Sequence, residues 1–132
     1  IISPQGDIFE GRPVNAVGAH VENNNVDNVG ISIMGNYMGD QVTPEILEAI
    51  VRVGQYLKTD HRIGEGGFFA HRQLNATVCP GDNLNARMGE LKGRIFRRSA
   101  EPVLVKDMSV DPSFDALSTE GSPALSQLLG AY

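Results

Sequence analysis

The stretch NVGISIMGNYMGDQVTPEILEAIVRVGQYLKTDHRI, residues 28–63, changes its hydrophobic period once, and that change decides the fold class. In its first part Val29, Ile31 and Ile33 alternate onto one side of an extended chain, and Gly35 ends the run. From Thr43 the period becomes helical. Thr43 supplies a capping oxygen, Pro44 takes the first helical position, where its missing N–H leaves nothing unpaired, and Glu45 sits at the positive end of the helix dipole. Leu47, Ile50, Val51, Gly54 and Leu57 then form one stripe, predicting a helix over 43–60. A strand and a helix that each carry one apolar side bury them against one another, so the expectation is an α/β fold, a mixed central β-sheet flanked by helices.

Upstream, ISPQGDIFEGR predicts strand, turn and strand, with Pro4, Gln5 and Gly6 making the reversal between the isoleucine pair and Ile8-Phe9. Residues 13–28 carry the run NNN and little apolar alternation, which predicts a long surface loop of the kind that often holds function. Downstream, GGFFAH predicts a short strand that delivers His71 at its end, so the sheet is expected to contain the DIFEG, GISIM and FFA segments. After the Pro80-Gly81 turn, Leu84, Met88, Leu91 and Ile95 fall at helical spacing, predicting a second helix to about Phe96. Beyond it the pattern dissolves. The division expected is a domain over 1–96 and a tail or linker over 97–132.

The chain has 132 residues, 41% of them hydrophobic, the size of one small domain with a core of its own. Sixteen acidic against eleven basic residues give a net charge of −5, which disfavours nucleic acid as a partner. No apolar run is long enough for a membrane span. The single cysteine cannot form an internal disulfide. Cys79 is therefore a packed small hydrophobe, a reactive thiolate or a metal ligand. It lies in the polar, turn-rich segment AHRQLNATVCPGD, eight residues after His71. Zinc takes both donor types, imidazole nitrogen at about 2.0–2.1 Å and thiolate sulfur at about 2.3 Å.

Four blocks in order, DIFEGR, VGAH with Asn25 five residues on, NVGISIMGN and HR…TVCPGD, resemble the zinc-dependent N-acetylmuramoyl-L-alanine amidases. That class includes phage lysozymes and the animal peptidoglycan recognition proteins. The resemblance covers residues 1–96. It implies hydrolysis of the amide between N-acetylmuramic acid and L-alanine in peptidoglycan, with Zn2+ as cofactor. It implies His71 and Cys79 as two of three zinc ligands, Thr77 as the residue that helps hold the substrate carbonyl, and His20 and Asn25 as lining of the substrate groove. The residues alone leave His20 open as a solvated loop histidine, and make His61 a helix C-terminal residue that complements the dipole. Arg72 is expected to pair structurally. Gln73 and Ala70 depart from the aspartate and glycine usual in the family.

The resemblance also places the first zinc histidine on a strand ahead of Ile1, so the chain is expected to be an N-terminally incomplete domain whose missing segment, or another chain, completes the site. A non-catalytic wall-binding module derived from an amidase is the alternative. A thiol hydrolase using Cys79 with His71 is a third reading and lacks an evident orienting group. The lone cysteine points to a phage-encoded or bacterial protein acting on the cell wall, and the negative charge implies that wall targeting comes from another element.

Overall fold

The computed structural model describes residues 1–97 and 103–106, together with the backbone of the strand 129–131. In order along the chain these hold strand β1 (Ile8–Phe9), strand β2 (Val29–Ile31), helix α1 (Pro44–His61), strand β3 (Phe68–Ala70), helices α2 (Asp82–Asn85) and α3 (Met88–Arg97), and strands β4 (Val105–Lys106) and β5 (Leu129–Ala131). The fold is a mixed α/β layer.

Helix α1 forms where the sequence signals place it. The Thr43 hydroxyl accepts from Ile46 N–H at 3.3 Å, and the helix stops at Arg62, whose φ of 55° turns the chain left-handed. The whole expected stripe is buried, and Ile46, Ala49 and Val53 are buried as well, because α1 packs along α3 and into the shared core. His61 closes its last turn and is itself buried. Gly54 sets how near α3 can come: a Cβ there would stand 2.5 Å from Ile95 Cδ1. Side chains of α1 then satisfy the last carbonyls of α3, which no intrahelical donor reaches. Gln55 Nε2 donates to Arg94 O and Lys58 Nζ to Ile95 O, each at 3.1 Å. Arg94 adds an ion pair to Glu48.

Strands β2 and β3 are joined through α1, yet they do not pair with each other. Strand β5 lies between them, parallel to both, with Ile31, Ala131 and Ala70 in register. Strand β1 pairs in parallel with β4, and Lys106 Nζ meets Asp7 Oδ1 at 2.6 Å beside that pairing. Ile2 links the two sheets, bridging Ile8 antiparallel and Ile33 parallel. The core beneath comprises Ile2, Ile31, Ile50, Phe68, Leu84, Leu91 and Ile95, none more than 2% exposed.

Two expectations change. The DIFEG, GISIM and FFA strands all form, but they are divided over two small sheets, with Ile2 bridging Ile8 of one and Ile33 beside the other. The helix expected from Leu84 to Phe96 is two helices broken at Ala86-Arg87; the apolar spacing holds, and Leu84, Met88, Leu91 and Ile95 are all buried across the break. Of the stretch 97–132, expected as tail or linker, Arg97 ends α3, Val105–Lys106 and Leu129–Ala131 form β4 and β5, and residues 98–102, 107–128 and 132 lie outside the described residues. Among the described residues no helix is long and apolar enough to cross a membrane.

The α1–α3 contact generates a test. Gly54→Val should destabilise the fold by about 1–3 kcal/mol through overpacking against Ile95. Combining it with Ile95→Ala should cost less than the sum of the single changes in urea unfolding, since the second change vacates the volume the first one needs.

Candidate functional site

Strand β3 ends at Ala70, and the chain at once tightens into a 3-10 turn over His71–Gln73. Gln73 Oε1 accepts from Ala70 N–H at 2.8 Å, and Leu74 and Asn75 N–H both return to His71 O. The chain then comes back on itself: Arg72 N–H donates to Cys79 O at 3.0 Å, which sets the backbone after His71 beside the backbone of Cys79. The Arg72 side chain repeats the closure, donating to Val78 O and, at 2.8 Å, to Asp82 Oδ1. Arg72 is thus a structural brace, as expected. Gly81 has φ 93°, and a Cβ on it would stand 2.4 Å from the Tyr37 carbonyl carbon, so only glycine lets this turn seat against the 37–40 loop. Asn83 N–H donates to Tyr37 O from the same turn.

The facing wall is the loop 13–28. Asn25 Oδ1 accepts from His20 N–H and Val21 N–H, both at 2.8 Å, and so closes the loop around His20. Asn28, 6% exposed, donates from Nδ2 to Asn24 O at 2.6 Å and places Oδ1 3.1 Å from His20 Nε2. Asn28 was not singled out in the sequence; its one signal is an amide at the mouth of an apolar strand, where burial demands partners.

Between the walls lies an open groove of about 450 Å3 lined by His20, Asn25, His71 and Thr77 with Glu22 and Asn75 among their neighbours. Four of the five residues chosen from the sequence therefore share one groove. Cys79 does not line it. It is half-buried behind Thr77, whose Oγ1 accepts from Cys79 N–H at 3.2 Å. Asn25 lines the groove but spends its acceptor on the loop, leaving only its amide nitrogen to a ligand. Asn75 Nδ2 spans the walls, donating to Glu22 O at 3.5 Å. A second cavity of about 250 Å3, under the Arg12–Ala16 segment, meets the groove at Ala19 and His20.

The electrostatics of His71 and Cys79 run in opposite directions. Burial, and then the nearby His20, lower the His71 pKa and favour the neutral imidazole that a metal requires. Burial raises the Cys79 thiol pKa, and Arg72 works against that rise. His71 and Cys79 thus fit zinc in donor type, while among the described residues no three of His, Cys, Asp and Glu converge. In the metal-free protein the raised thiol pKa leaves less thiolate near neutral pH than in the unfolded chain. Alkylation of Cys79 should therefore be slower than in urea, go on accelerating with pH after the unfolded chain has levelled off, and slow further in Arg72→Met, which removes the compensating cation. Equal rates in folded and unfolded protein would contradict the environment described.

A family model for N-acetylmuramoyl-L-alanine amidase matches residues 1–82. The peptidoglycan-recognition protein SC1a of Drosophila melanogaster is 33% identical over 85 residues, covering 64% of this chain and 46% of the relative. The N-acetylmuramoyl-L-alanine amidases of Sus scrofa and Homo sapiens are 33% and 34% identical over 92 residues, covering 64% of this chain and 14% and 15% of those proteins. The chain thus spans less than half the length of these curated relatives. No solved structure matches it. With the family match running from the first strand through the turn that carries Cys79, the chain belongs to the N-acetylmuramoyl-L-alanine amidase family.

Proposed function

We propose that this chain carries the groove of a zinc-dependent amidase that hydrolyses the amide between N-acetylmuramic acid and L-alanine in peptidoglycan. The observation that carries the reading is the convergence of His20, His71 and Thr77 on one groove, with Cys79 tied to Thr77 by a hydrogen bond. Family membership supports a peptidoglycan-related function.

His71 nitrogen and Cys79 sulfur would hold the zinc, with a further ligand from outside the described residues; when bound, the metal supplies Lewis acidity for amide hydrolysis. Thr77 has a defined part. Its oxygen already accepts the Cys79 N–H, which fixes the hydroxyl and leaves its own proton to donate. Directed at the scissile carbonyl oxygen, that proton stabilises the negative charge developing there. His20 and Asn25, on the opposite wall, would hold the muramyl peptide in place. Arg72 keeps the Cys79 turn folded against the His71 turn, so the two metal donors are not left to a flexible loop.

A second reading, peptidoglycan recognition without cleavage, is favoured by the names of the Drosophila relatives. Activity separates the two. With zinc supplied, the full-length protein should release new L-alanine amino termini from purified peptidoglycan, and a chelator should stop it. Cys79→Ser should abolish release and zinc retention together, while Thr77→Ala should slow release by roughly 10- to 1000-fold with zinc still bound. Release of reducing sugar ends instead, or tight binding with no release, would replace the amidase reading.

A further inference from the structure

Three constraints meet at His20, one on its backbone and two on its ring. Asn25 Oδ1 fixes the backbone N–H of His20 at 2.8 Å. Gly18 gives the ring its room, since a Cβ there would fall 2.3 Å from both Cε1 and Nδ1. The third is Asn28. A backbone carbonyl only accepts, so the Asn28 group facing Asn24 O at 2.6 Å must be its NH2, and the group facing His20 at 3.1 Å must be its oxygen. That oxygen in turn only accepts. The proton of a neutral His20 ring therefore sits on Nε2.

We infer that Asn28 is a positioning residue that holds His20 in its Nε2–H tautomer at the junction of the groove and the neighbouring cavity. The inference deepens the groove reading and rests on it for the role of His20, while the tautomer itself is a property of the free protein. His20 is the side chain common to both spaces with a polar edge to present, and a ring free to exchange tautomers would present donor and acceptor edges interchangeably. Asn28 removes that ambiguity through an amide whose own direction is dictated by the Asn24 carbonyl.

The experiment is nitrogen NMR of the histidine ring in the folded, metal-free protein, at a pH where His20 is neutral, joined to titration with a soluble muramyl tripeptide. Wild-type protein should show His20 protonated at Nε2. Asn28→Asp keeps an oxygen at the same place and should keep that tautomer. Asn28→Ala should give a mixture and weaken muramyl peptide binding roughly tenfold, the size expected when a buried donor loses its acceptor. An Nδ1–H tautomer in wild type overturns the inference, as does a folded Asn28→Asp that switches tautomer or a folded Asn28→Ala that keeps it. If Asn28→Ala fails to fold, the wild-type and Asn28→Asp spectra decide. Correct tautomers in a protein that neither binds nor cleaves muramyl peptides would leave Asn28 in its role and remove the amidase reading instead.

Discussion

The hydrogen bond from Arg72 N–H to Cys79 O, 3.0 Å long, is the contact on which the site depends. Six residues separate its ends, and without it His71 and Cys79 would belong to a strand end and an unrelated turn. With it, and with the Arg72 guanidinium bonded to Val78 O and Asp82, the two halves of the loop form one rigid piece. Gly81 then seats that piece against Tyr37, in a space no side chain could share. The chemistry proposed for Thr77 follows from the same closure, because its hydroxyl is oriented by the N–H of Cys79.

That piece must be anchored to something that does not move. Strand β3 supplies the anchor, since His71 follows directly from Ala70, which is fully buried, and Phe68 packs edge-on to Phe96 of α3. Helix α1 stiffens the unit by crossing from β2 to β3 with its cap formed at one end and α3 docked along its length. The opposite wall has no such scaffold. The loop 13–28 is ordered by its own asparagines instead: Asn25 closes it around His20, and Asn28 ties it to the start of β2. One wall is thus held by packing and the other by amide hydrogen bonds, which places the burden of specificity on polar side chains with defined donors and acceptors.

What the sequence made legible follows the strength of local signals. Helix α1 could be placed within a residue at each end, because Thr43, Pro44 and an apolar stripe agree. The pairing of β1 with β4 and the insertion of β5 between β2 and β3 could not, because strands of two or three residues carry no period, and their partners are set by tertiary contacts far along the chain. The break at Ala86-Arg87 was hidden for the opposite reason: Leu84, Met88, Leu91 and Ile95 stay on one side whether or not the helix is continuous. At the site, His71, Thr77, Cys79, His20 and Asn25 were singled out through the family resemblance, and all but Cys79 line one groove. That Asn25 acts on backbone, and that Asn28 fixes the ring of His20, depends on how a loop without repeating pattern folds, and no spacing encodes it.

The central proposal is that His71, on the groove, and Cys79, beside Thr77, hold a zinc ion together. X-ray absorption at the zinc edge of the full-length, zinc-loaded protein tests it most directly. The account predicts a shell with one sulfur at about 2.3 Å and nitrogen at about 2.0–2.1 Å, the sulfur vanishing in Cys79→Ser. A shell of nitrogen and oxygen alone in the unmodified protein would contradict it.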